Sequence, residues 1–81
     1  MSSIEKLLQE LVVAKGDAAY SDIERLLVYH GYEQTRTVGS HFHFNKQDSA
    51  PVTLPSHNGK VKICYVRLII KVIAKEKHEE N

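Results

Sequence analysis

The sequence predicts an α+β fold of order α-α-β-β-β-α, and three observations predict it. Two stretches near the N-terminus each pair a serine with a glutamate three residues later and continue as an amphipathic stripe. From Tyr32 to Leu54 the chain is rich in strand formers, which alternate cleanly on either side of a polar loop. From Val61 to Lys75 the period becomes helical again.

Ser2 and Glu5 form the first capping box, and Ile4, Leu7, Leu8, Leu11 and Val12 follow at helical spacing. Lys15-Gly16-Asp17 ends this helix near Ala14. Ser21 and Glu24 repeat the box and open a second helix, with Ile23, Leu26, Leu27 and His30 along its inner side. Gly31 suits the left-handed stop, and His30 favours the negative end of the helix dipole. Tyr32 to Val38 and Ser40 to Asn45 read as a hairpin. A Val38-Gly39 loop would set Thr37 opposite Ser40, Arg36 opposite His41, Thr35 opposite Phe42 and Gln34 opposite His43.

Pro51 to Pro55 reads as a short third strand with Val52 and Leu54 inward, its prolines tolerated at a strand start or an edge. Ser56-His57-Asn58-Gly59-Lys60 reads as a polar loop of the kind that carries binding residues. In the closing segment Val and Ile favour strand, yet Lys62, Arg67, Lys71 and Lys75 form a helical stripe while period-2 alternation fails at Leu68-Ile69-Ile70. A helix follows, with Ile63, Val66, Ile70 and Ile73 as its core face. Leu68, Ile69 and Val72 widen that face toward a partner surface or fuller packing. Residues from Lys75 on read as a frayed, charged tail.

At 81 residues the chain is one domain, pressed to bury enough core. A lone Cys64, expected in the core, allows no internal disulfide and suits a reducing cytoplasm. No signal-peptide pattern opens the sequence, and the Val66–Ala74 run is too short and too charged to span a bilayer, so a soluble cytoplasmic protein is expected. The net charge of +1 hides an asymmetry: residues 31–75 carry seven Lys/Arg against two Asp/Glu, whereas 1–30 carry three against five. Such a basic region can attract a polyanion such as RNA.

The histidine chemistry sits in that region. Along Gly39-Ser40-His41-Phe42-His43-Phe44, alternation sends Phe42 and Phe44 to the core and both imidazoles to the other face. Gly39 lets the chain turn tightly just before His41.

Gly31-Tyr32, Gly39-Ser40-His41 with Phe44, Pro55-Ser56-His57 and Tyr65-Val66-Arg67, in that order, resemble the HicA (YcfA-like) toxins of type II toxin-antitoxin systems. The resemblance runs from about Tyr20 to Ile73. It implies a fold like the double-stranded RNA-binding domain, a three-stranded antiparallel sheet with helices on one face. It also implies an mRNA-cleaving activity, neutralisation by a HicB-type antitoxin, and a key histidine at His41. Residues 1–19 then form an N-terminal helical extension, 20–75 the core and 76–81 the tail. Homo-oligomers or toxin-antitoxin hetero-oligomers are both open.

RNA can be cut without a metal when its 2′-hydroxyl attacks the adjacent phosphate, given a base for that proton and an acid for the leaving oxygen. Histidine serves either role near neutrality. His41 is the principal expectation, with Arg36 or Lys60 stabilising the transition-state charge, Ser40 orienting the imidazole or touching phosphate, and Lys62 as a further phosphate contact. For the second proton transfer His57 is preferred to His43, because a mobile loop can close over a phosphate. Nothing asks for a cofactor. Two rivals remain: a non-catalytic RNA-binding module on the same face, and a metal site built from His41, His43 and His57.

Overall fold

The computed structural model describes residues 3–79. Three helices and two small sheets make up the domain: α1 (Ser3–Val13), β1 (Ala18–Ala19), α2 (Tyr20–Tyr29), β2 (Glu33–Val38), β3 (His41–Asn45), β4 (Val52–Pro55), β5 (Lys60–Val61) and α3 (Ile63–Glu79). The main sheet is antiparallel in the order β2-β3-β4, as expected for this α+β class. One core joins all three helices to the inner side of that sheet. Leu7 and Leu11 of α1, Ile23, Leu26 and Leu27 of α2, Phe44 and Leu54 of the sheet, and Val66, Ile69 and Ile73 of α3 are all buried in it.

The turn out of α2 follows from Gly31. With φ at +94°, Gly31 takes the left-handed conformation at which its own N–H reaches the Val28 carbonyl (3.0 Å) and the Tyr32 N–H reaches that of Leu27 (3.0 Å). These two bonds are a Schellman close, and it delivers Tyr32, 3 % exposed, into the core just ahead of β2. His30 serves as the C-cap residue, the structural role expected of it.

Several expectations need correction. Ser21 is not the cap of α2: the helix begins one residue earlier, the N-cap position is Ala19, and no side chain caps it. The first amide is satisfied from elsewhere in the chain, since the Gly59 carbonyl accepts the Tyr20 N–H at 2.8 Å. Ser2, expected to cap α1, lies outside the described residues. The polar loop 56–60 turns out to lead into β5, which pairs antiparallel with β1 (Ala18 opposite Val61, Ala19 opposite Lys60). Two-residue strands leave no periodic trace in a sequence, so this second sheet could not be read from it.

In α3, Ile69 is core while Leu68 is 52 % exposed and Ile70 only partly buried, so the inner stripe runs Val66-Ile69-Ile73. Cys64, expected inside, is exposed, because one helical phase puts it on the solvent side with Arg67, Leu68 and Lys71. The backbone stays helical to Glu79, beyond the expected fraying point at Lys75; residues 80 and 81 lie outside the described residues. The segment ahead of α2 is built into the fold: besides Leu7 and Leu11, the Asp17 carboxylate accepts the Ile63 N–H at 3.3 Å and so caps α3.

Candidate active site

Directly opposed residues of an antiparallel ladder share a face. Two rows therefore cross the side of the main sheet turned away from the core: Val38-His41-Pro55 and Arg36-His43-Thr53. Phe42, Phe44, Val52 and Leu54 fall on the other side, as their alternation predicts. His41 is exposed and His43 half-buried.

The pairing of Val38 with His41 encloses a two-residue loop, Gly39-Ser40. Gly39 has φ +59° and Ser40 has no positive φ, which is a type II′ turn with glycine in its required first place. The Ser40 carbonyl accepts the Ser56 N–H at 2.9 Å, which extends the β3-β4 ladder by one pair and ties the turn to the segment after β4. Alternation along that ladder makes His41-Pro55 a non-hydrogen-bonded pair, where the missing proline N–H costs nothing.

The expected register slips by one residue in the loop, and the neighbours of both histidines change with it. Arg36 stands opposite His43, not His41, though it keeps the same face. Gln34 stands opposite Phe44, not His43: the loop shift alone would carry it to Asn45, and Thr35, an extra residue in β2 where the register shifts, brings it back by one. The Thr35 hydroxyl donates to the His43 carbonyl at 3.3 Å.

His57 lies on a hydrogen-bonded hairpin, where the sequence suggests only a polar loop. His57 and Lys60 exchange two backbone hydrogen bonds of 2.9 Å each, closing a type I′ turn over Asn58 (φ 54°) and Gly59 (φ 74°), whose carbonyl also binds the start of α2. The His57 side chain is exposed at this tip; Lys60 is exposed in β5, and Lys62 is exposed immediately before α3. Among the described residues no three His, Cys, Asp or Glu side chains come together to hold a metal ion.

Sequence reasoning missed three contributors. Thr53 Oγ1 lies 3.1 Å from Nδ1 of His43. Its outward direction was readable between Val52 and Leu54, but its partner was not. Ser56, 8 % exposed, is a buried polar residue at the junction with the turn. Tyr20 packs its ring on Phe42, with centroids 4.4 Å apart, and donates to Gln34 Oε1 at 3.4 Å. Burial, and secondarily the Glu24 carboxylate, hold the Tyr20 phenol pKa above its ordinary value.

A family model described as HicA toxin of bacterial toxin-antitoxin systems matches residues 20–74. The chain belongs to the HicA toxin family. No curated protein and no solved structure matched it. The HicA match opens at the first residue of α2, takes in the whole main sheet and closes within α3, so Arg36, Gly39, Ser40, His41, His57, Lys60 and Lys62 all lie inside it. Toxins of this family generally cleave RNA, which places the chain as the toxin half of a toxin-antitoxin pair with RNA as the target. No described helix is long and apolar enough to cross a membrane.

Proposed function

We propose that the chain is an mRNA-cleaving endoribonuclease that works without a metal, with His41 as its principal proton-transfer group, and that a HicB-type antitoxin neutralises it by covering the open face of the main sheet in a hetero-oligomer. The observation that carries this reading is the setting of His41. It is exposed, follows a two-residue turn, and is paired on both sides, by Val38 and Pro55, within the segment that matches the family. A side chain on a paired central strand keeps its direction when a ligand arrives, which is what proton transfer to a bound phosphodiester requires.

In the proposed reaction the 2′-hydroxyl loses its proton to a base and its oxygen attacks the adjacent phosphorus. The bond to the 5′ oxygen breaks, and that oxygen takes a proton from an acid, leaving a 2′,3′-cyclic phosphate and a 5′-hydroxyl end. Arg36 on the same face, and Lys60 beyond the turn, supply positive charge for the extra negative charge on the phosphorane-like transition state. Gly39 and Ser40 form the turn just before His41, and Lys62 is a further candidate for a phosphate contact. The substrate is cytoplasmic mRNA.

Cleavage of a labelled single-stranded RNA by purified wild type and His41→Ala, each with chelator present, tests this reading. Wild type is expected to cut and the variant to lose activity by about 10²-fold or more. Equal rates would remove His41 from the mechanism, and a wild type silenced by chelator would remove the metal-free route. An RNA-binding module without activity would cause no growth arrest on induction, whereas the toxin is expected to arrest growth and its His41→Ala variant to leave growth intact.

A further inference from the structure

We infer that His43, aimed by Thr53 and by the bulge at Thr35, is the second proton-transfer group and acts opposite His41. The inference rests on the ribonuclease reading above. It reverses the preference for His57 drawn from the sequence.

Two hydrogen bonds and one cross-strand neighbour converge on His43. The Thr53 hydroxyl sits 3.1 Å from Nδ1. With that nitrogen occupied, as donor or acceptor, Nε2 is the nitrogen left for substrate in every protonation state. The extra residue in β2 supplies the Thr35 hydroxyl to the His43 carbonyl at 3.3 Å, fixing the backbone from which the ring projects. Bulges of this kind often re-aim a side chain beside an active site. Arg36 lies directly opposite on the same face.

Spacing supplies the rest. His41 and His43 are two residues apart on one strand face, so their backbones stand about 7 Å apart. The attacking and leaving oxygens of an in-line displacement lie on opposite sides of phosphorus, and two imidazoles at that separation can flank it. One takes the 2′ proton, the other gives a proton to the 5′ oxygen, and Arg36 is placed to meet the phosphoryl oxygens between them. The charged or titratable groups sharing the face are Glu33, Arg36 and His41; from β4 only Thr53 and Pro55 face it. His57, by contrast, sits on a hydrogen-bonded hairpin outside the main sheet, tied to Lys60 and through Gly59 to Tyr20, and not on the strand face that carries His41.

The test is single-turnover cleavage of labelled RNA across pH by wild type, His41→Ala, His43→Ala, His57→Ala, Thr53→Val and Thr53→Ser, followed by the same assay on RNA with sulfur in place of the bridging 5′ oxygen. That substrate leaves as a thiolate and needs no acid. Wild type is expected to give a bell-shaped profile. His43→Ala should fall by about 10²–10⁴-fold and lose one limb of the bell. Thr53→Val should fall with it, Thr53→Ser should restore the rate, and His57→Ala should stay within about threefold of wild type. The sulfur substrate should rescue one of His41→Ala and His43→Ala, the one lacking the acid, and the rescue itself shows that variant to be folded. His43→Ala cutting within about threefold of wild type, or rescue of neither variant, overturns the inference. A wild type that does not cut RNA at all sinks the ribonuclease reading instead.

Discussion

Replacing Gly39 by L- and by D-alanine separates the two costs a glycine substitution can carry. A Cβ built at this position meets no atom within 4 Å, so crowding contributes nothing. The backbone does contribute: at φ +59° in the first place of this turn an L residue pays about 1–2 kcal/mol for a torsion that its Cβ disfavours. Alanine recovers about 0.4–1 kcal/mol by restricting the unfolded chain, which leaves a net loss of roughly 0.5–1.5 kcal/mol. For a domain this small that lowers the melting temperature by a few to about ten degrees. D-alanine prefers positive φ and keeps only the gain, so the same position should become more stable. Thermal and urea unfolding of the two synthetic chains measures both shifts. Cleavage should drop in the L variant, since His41 leaves the turn two residues later, and hold in the D variant. If L- and D-alanine shift stability in the same direction, the turn reading is wrong.

Asp17→Ala should lose the cap on α3 and about 0.5–1 kcal/mol, at the low end of capping values because the group is exposed and the bond is 3.3 Å long; Asp17→Asn should retain most of it, and urea midpoints report both. Leu11→Ala should cost about 2–5 kcal/mol, since Leu11 is 6 % exposed in the shared core; a change below about 0.5 kcal/mol would show residues 1–19 to be a dispensable appendage. Tyr20 has its phenol pKa raised in the fold, so its contribution is complete below the ordinary tyrosine value near 10 and is lost as pH rises through the raised one. The stability advantage of wild type over Tyr20→Phe should therefore hold up to about pH 9.5 and shrink as pH rises above about 10 in urea melts, and a difference that stays constant above that pH would contradict the raised phenol pKa.

Much of the architecture is legible because its causes are local. Gly31 stops α2 through its own torsion, Phe44 and Leu54 turn inward by alternation, and the helical stripe of α3 outweighs the strand preference of its Val and Ile residues. His41 is legible for the same reason: a turn glycine, a strand start and an outward parity are all written within three residues.

What sequence by itself determined here is therefore the order of the three helices and the three main-sheet strands, the faces of those strands and the exposure of His41. Only tertiary structure decided who stands beside whom. The hairpin register depends on which residue takes the first place of the turn, and one step there moved Arg36 from His41 to His43. The β1-β5 pair, the Asp17 cap and the Thr53 contact to His43 join residues 10 to 46 positions apart, and no periodicity records such pairings. They form only when the core closes, because burying the shared apolar face is what brings those polar groups within hydrogen-bond reach.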